Sequence, residues 1–142
     1  MTDTDIQKTI FLAAPPQLVW PFLTEADKLA RWFHAPDRDL AQGQPYTLRN
    51  GKDGDRMCWG TVLEMTPHTH MVWDFTVGPL DGQMTRVEWV LAAVAGGTRL
   101  TLRHSGLPEA EAAFGLVMAL DKGWHGFLLA LYETAANRGP AS

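Results

Sequence analysis

The amino-acid sequence predicts an α+β chain. A curved antiparallel sheet of six or seven strands is covered on its concave face by one long C-terminal helix, with two short helices following the first strand. Three observations carry this. Between Tyr46 and His104, strand-length runs alternate apolar and polar side chains and are separated by turn-forming clusters, the pattern of an antiparallel meander. After Pro108 the apolar period changes from two to that of a helix, and the stripe runs on to Ala135. Ahead of the meander, one strand-like run is followed by two brief helical stretches punctuated by prolines. A sheet with one apolar face must cover that face, and only the last helix is long enough.

In chain order, Ile6, Ile10 and Leu12 share one parity and define the first strand, which Ala14-Pro15-Pro16 ends. Pro16 to Leu23 reads as a short helix with Leu18, Val19, Phe22 and Leu23 as its apolar positions. Its opening proline is harmless, because the N–H it lacks has no partner at a helix start. Pro21 removes a hydrogen bond to the preceding turn, so this helix is expected to be brief or kinked. Thr24 and Asp27 form an approximate capping box for the second helix. Leu29, Trp32 and Phe33 give that helix an apolar face, and Pro36 closes it.

Breaks at Asn50–Gly54, Thr66-Pro67-His68, Gly78–Gly82 and Ala95-Gly96-Gly97 divide the meander. In Arg56–Met65 the odd positions Met57, Trp59, Leu63 and Met65 are the predicted inner face. In His70–Val77 the inner set is Met71, Trp73, Phe75 and Val77, and in Thr85–Val94 it is Val87, Trp89 and Leu91. The last strand shifts parity and turns Leu100, Leu102 and His104 inward. Cys58 falls on the outer parity and is either a tolerated surface-strand residue or a reactive thiol. The final helix presents Val117, Leu120, Trp124, Phe127, Leu128, Leu131 and Ala135, and Asn137-Arg138-Gly139-Pro140 supplies its stop. Gly115, Gly123 and Gly126 each cost about 1 kcal/mol against alanine in a helix interior. They either let the backbone approach the sheet or leave room beside Trp124.

Composition narrows the function. The chain has 142 residues, 46% of them hydrophobic, a net charge of −4 and one cysteine. It reads as a single domain over residues 1–142, a size that buries roughly 70% of its unfolded surface. One cysteine permits no intrachain disulfide and fits a reducing, cytoplasmic setting. No apolar run approaching the ~20 residues of a membrane span is read, and Met1–Asp5 is polar and acidic, unlike a secretory signal. Acidic balance with scattered Lys and Arg argues against a nucleic-acid partner. No Gly-x-Gly-x-x-Gly, phosphate-loop or nucleophile-elbow pattern occurs, so no cofactor is expected. His68 and His70 lack further ligands at metal spacing, so no metal is expected.

Two stretches, Ala14-Pro15-Pro16-Gln17-Leu18-Val19-Trp20 and Ala26-Asp27-Lys28-Leu29-Ala30-Arg31-Trp32-Phe33, resemble the opening motif of the family named after the activator of Hsp90 ATPase. Gly60-Thr61-Val62-Leu63-Glu64, Gly97–Leu102, His104-Ser105-Gly106-Leu107 and Gly123-Trp124 continue the resemblance in order along nearly the whole chain. It implies a helix-grip fold within the wider SRPBCC superfamily of START-like and Bet v 1-like domains. Members of that superfamily hold an apolar ligand between sheet and helix. The co-chaperone that gives the family its name also has a separate Hsp90-binding domain, for which these residues hold no counterpart.

The candidate ligand-binding residues are Trp59, Trp73, Phe75, Trp89, His104, Met118 and Trp124. Aromatic side chains bury ~150–250 Å² each and impose shape at little entropic cost, and they serve a packed core as readily as a pocket. His104 is either a satisfied core residue or a polar anchor that orients a ligand. Asp121, one turn before Trp124, is either solvated or paired with a nearby Lys or Arg, or, turned inward, an acid/base partner for His104. The expected function is non-catalytic binding of a small aromatic or lipid-like ligand, in transport or stress response. The alternatives are a partner of an Hsp90-type chaperone and a cyclase- or hydrolase-type enzyme using His104 and Asp121. A homodimer is a further expectation.

Overall fold

A computed structural model describes residues 5–50, 52–109 and 111–136. Strand β1 (Ile6–Leu12) leads into helices α1 (Pro16–Thr24) and α2 (Ala26–Trp32). Six strands follow: β2 (Ala35–Pro36), β3 (Pro45–Arg49), β4 (Arg56–Thr66), β5 (His70–Phe75), β6 (Thr85–Val94) and β7 (Gly97–Ser105). The long helix α3 (Phe114–Ala136) completes the fold. The sheet order is β1-β7-β6-β5-β4-β3-β2, antiparallel throughout. β1 therefore pairs with the last strand, Ile6 opposite His104 and Leu12 opposite Thr98. The sheet curls into a half-barrel around α3, and the predicted α+β architecture is present in full.

Local chemistry accounts for most element boundaries. α1 opens with Pro15 as its N-cap and Pro16 as its first residue, and it runs nine residues with Pro21 inside. The predicted capping box does not form. The Thr24 hydroxyl donates to the Trp20 carbonyl at 3.2 Å, Glu25 occupies the cap, and the Ala26 N–H is satisfied by Asp39 Oδ1 at 2.8 Å. α2 ends before Pro36: Phe33 leaves helical geometry at φ −131°, ψ −118°, and Pro36 pairs instead with Leu48 in β2. The predicted stop at 137–140 lies outside the described residues.

One strand is inverted relative to the sequence reading. In β4 the inner face is Cys58, Gly60 and Val62, opposite Leu48, Tyr46 and Trp73 respectively, not Trp59 and Leu63, while Met57 is the extra residue of a register shift opposite Leu48 and Arg49 and borders the cleft described below. A register shift between Val62 and Glu64 absorbs one extra residue, so Met65 returns to the inner side opposite Met71. A bulge of this kind flips every side chain on one side of it. Gly60 is required there, because a Cβ would stand 2.0 Å from the Asp74 carbonyl oxygen. β5, β6 and β7 keep the predicted parity, and Met71, Trp73, Phe75, Val87, Trp89, Leu91, Leu100, Leu102 and His104 are all buried.

α3 covers the concave face with Val117, Trp124, Leu128, Leu131 and Ala135. On length and mean hydropathy alone this helix qualifies as a membrane span, at 22 residues and 1.2, contrary to the sequence reading. Its sheet-facing stripe is nevertheless part of the same core as β5–β7.

Candidate functional site

The concave face carries a continuous series of aromatic rings. Tyr46 meets Trp73 at 5.3 Å between centroids, Trp73 meets Trp89 at 5.4 Å, and Trp89 meets Trp124 at 5.8 Å. Trp124 then stacks on Phe33 at 5.4 Å, and Phe33 meets Phe127 edge-on at 4.7 Å. Trp73 and Trp89 are 0% exposed, and their Nε1 atoms have no hydrogen-bond partner among the described residues. These two rings are core.

The packing stops at Trp124. Between it, the end of β5, the start of β4 and the first half of α3 lies a cleft of about 470 Å³. Phe75 and Trp124 form part of its wall, as do Phe33, Cys58, Val77 and Leu120. Gly123 borders the same space, and a Cβ built on it meets nothing within 4 Å. Of the two roles open to the helix glycines, close approach to the sheet is thus excluded for all three, and Gly123 leaves room beside Trp124.

His104 is fully buried behind Trp124, and its hydrogen bonds determine its state. Trp124 Nε1–H donates to Nδ1 at 3.0 Å. Thr85 Oγ1 lies 2.7 Å from Nε2 and itself donates to the Phe75 carbonyl at 2.7 Å. A hydroxyl has one proton, so Thr85 must accept from Nε2–H, and His104 is the neutral Nε2–H tautomer. Burial pulls its pKa down to about 4. No lone pair and no proton remain for a ligand or for catalysis. Asp121 is also unavailable: it is exposed and holds Lys8 at 2.9 Å, so the acid/base pair with His104 does not exist.

Two other predicted residues are displaced. Trp59 lies on the opposite side of β4 from Cys58, its ring 3.6 Å beneath the Arg56 guanidinium. Met118 points away from the sheet and is 59% exposed. Of the seven candidates, Phe75 and Trp124 therefore border the cleft, Trp73, Trp89 and His104 lie in the core behind it, and Trp59 and Met118 are outside.

Sequence reasoning missed four of the wall residues. Phe33 was assigned to the α2 stripe, yet it ends the helix and turns into the cleft. His34 is half-buried between Phe33 and Phe127, at 4.7 and 5.1 Å, and desolvation lowers its pKa. Cys58 is 2% exposed and burial raises its thiol pKa, so it stays a neutral wall group. Arg56 is the one charged residue that borders the cleft, and its guanidinium is turned onto Trp59, on the other side of β4. The available signal was the small-residue alternation Cys58-x-Gly60-x-Val62 against Tyr46-x-Leu48. Among the described residues no group of three His, Cys, Asp or Glu side chains converges.

A half-barrel sheet closed on one helix, with an apolar cleft at one end, defines a helix-grip domain of the ligand-binding type. The model of the family described as activator of Hsp90 ATPase homolog 1-like protein matches residues 13–136, and the chain belongs to that family. No curated protein matches the chain significantly. Among solved structures, the chain is similar to the Aha1 dimer from Colwellia psychrerythraea, with a TM-score of 0.78 and 21% identity over 96% of this chain and 97% of that one. CalU16 from Micromonospora echinospora superposes with a TM-score of 0.77 and 24% identity, covering 97% and 76% of the two chains. DynU16, encoded in the dynemicin biosynthetic locus, gives 0.76 and 24% over 93% of this chain, which spans about half (47%) of DynU16.

Proposed function

We propose that the cleft beside Trp124 binds a small, largely apolar molecule without transforming it. The observation that carries this reading is the unfilled space of about 470 Å³, walled by aromatic and aliphatic side chains and kept open by the glycine at 123. Ligand pockets of roughly 300–1,000 Å³ with few polar groups are the usual setting for such binding. Contact with ~300 Å² of ligand apolar surface supplies ~7 kcal/mol before the cost of association, which supports micromolar affinity. The two ionisable groups that were candidates for acid/base work are a locked imidazole and a surface carboxylate.

N-phenyl-1-naphthylamine, whose emission rises in apolar surroundings, tests the reading directly. Titration is expected to saturate at one site in the micromolar range. Gly123→Leu, which places a side chain in the cleft, is expected to abolish the signal while the unfolding midpoint is kept. Met118→Ala serves as the unaffected control. A flat titration of the wild-type protein, or one that Gly123→Leu leaves intact, overturns the reading.

A second reading concerns assembly. Met118, Leu129 and Tyr132 stand exposed along α3, and Phe11 is exposed on the edge strand β1. The Colwellia psychrerythraea relative is described as a dimer. Both observations support self-association of this chain through α3 and β1.

A further inference from the structure

We infer that the molecule held in the cleft is an uncharged aromatic compound bearing a phenol-type hydroxyl, and that the imidazole of His34 exchanges a hydrogen bond with that hydroxyl. The inference rests on the cleft being a binding site and specifies what that site selects. His34 lies between the end of α2 and the start of β2 and borders the cleft. Two rings of the same wall place its own ring: Phe33 at 4.7 Å and Phe127, on α3, at 5.1 Å. Those two meet each other at 4.7 Å, and Phe33 stacks on Trp124 at 5.4 Å. The imidazole is thus one corner of a three-ring cluster joined to Trp124. These contacts leave its nitrogens unclaimed. The histidine hydrogen bonds among the described residues belong to His70 and His104, and neither nitrogen of His34 has a partner. Nor are they sealed in the way that Trp73 Nε1 and Trp89 Nε1 are, so an incoming group can reach them.

The chemistry of the wall selects the partner. Partial burial pulls the His34 pKa below its ordinary value, so the ring is neutral at pH 7 and offers one donor and one acceptor. A hydroxyl matches either nitrogen. The other polar wall residues leave this role to His34: the Arg56 guanidinium is turned onto Trp59, and the Cys58 thiol is a weak, neutral group. No carboxylate borders the space. An ionised ligand would therefore lose hydration with no opposite charge turned toward it, a cost that a neutral hydroxyl avoids. The rings of Phe33, Phe75, Trp124 and Phe127 suit an aromatic body, and one placed polar group fixes its orientation.

The test measures, by equilibrium dialysis at neutral pH, the affinities of 2-naphthol and of 2-methylnaphthalene, which replaces the hydroxyl with a methyl group of similar size. Comparing the ratio of the two between proteins cancels their different hydrophobicities. In His34→Phe, which keeps a ring against Phe33 and Phe127, the preference for 2-naphthol over 2-methylnaphthalene is expected to fall about fivefold from its wild-type value, the effect of one neutral hydrogen bond. Affinity for 2-methylnaphthalene should stay within about twofold. His34→Leu repeats the comparison with a smaller apolar side chain, and His34→Gln, which can still hydrogen-bond, is expected to keep part of the preference. The ionised 2-naphthoate is expected to bind the wild type at least about tenfold more weakly than 2-naphthol. A preference that does not fall in His34→Phe and His34→Leu, or naphthoate binding as tight as that of naphthol, overturns the inference while leaving cleft binding standing. Failure of both uncharged compounds to bind the wild type overturns the cleft reading itself, and the assignment of His34 with it.

Discussion

The imidazole of His104 accepts one hydrogen bond and donates another, and each partner has its remaining capacity committed. A second proton on Nδ1 would point at the Trp124 N–H, in a site that is 0% exposed to solvent. Burial accordingly holds the pKa near 4, against 6.5 in an unfolded chain. The folded state binds fewer protons than the unfolded state between those values, so stability rises with pH across that window. The contribution is complete above about pH 6.5 and is lost as pH falls towards 4, an effect on the order of 3 kcal/mol. In denaturant unfolding, His104→Leu should show a weaker pH dependence than wild type between pH 6.5 and 4. At pH 7 it should also be less stable by about 1–3 kcal/mol, because Trp124 Nε1–H loses its acceptor. The inward parity of His104 was legible in the alternation of Leu100, Leu102 and His104. Its partners were not, since Thr85 and Trp124 come from β6 and α3 and only the folded register brings them together.

Among the elements, β4 shows where alternation misleads. Its odd positions hold Met57, Trp59 and Leu63, larger and more apolar than the even set, so hydrophobicity alone pointed the wrong way at Trp59 and Leu63. Pairing decided otherwise, because Leu48 and Tyr46 of β3 require Cys58 and Gly60 as their inward partners. The bulge that corrects the parity beyond Val62 leaves no composition signal. Gly60 does carry one in hindsight: a glycine inside a strand marks a close approach. Gly60→Ala is expected to cost about 3 kcal/mol or more, as overpacking against a fixed backbone oxygen does. Gly126→Ala should do the opposite. Its Cβ meets nothing within 4 Å, so the variant should gain about 0.5–1 kcal/mol in helix propensity. Urea midpoints of the two variants, with unchanged slopes, read both signs.

For the whole molecule, the architecture was legible because each level agreed: hairpin spacing, the switch of period after Pro108 and the proline-bounded helices all require the same layering. The location of the empty space was not legible. It depends on how far the Trp89–Trp124 contact extends along the helix, a property of three-dimensional packing to which parity is blind. Assembly is likewise a property of the surface. If α3 and β1 mediate pairing, light scattering should give twice the 15.7 kDa chain mass, and Met118→Lys with Leu129→Lys should return the monomer. A wild-type monomer at high concentration rejects that reading.

The pairing of Ile6–Leu12 with Thr98–His104 also bears on synthesis. As the polypeptide leaves the ribosome, its leading segment has no partner until nearly all of the meander has emerged. The loop closed by this pairing holds every element from α1 to β6, which makes closure late and entropically costly. A nascent chain halted in the β6–β7 hairpin would therefore leave the border of β6 that β7 normally occupies unpaired. During that interval the protein is most exposed to aggregation, and translation speed through the last third of the message bears directly on its yield.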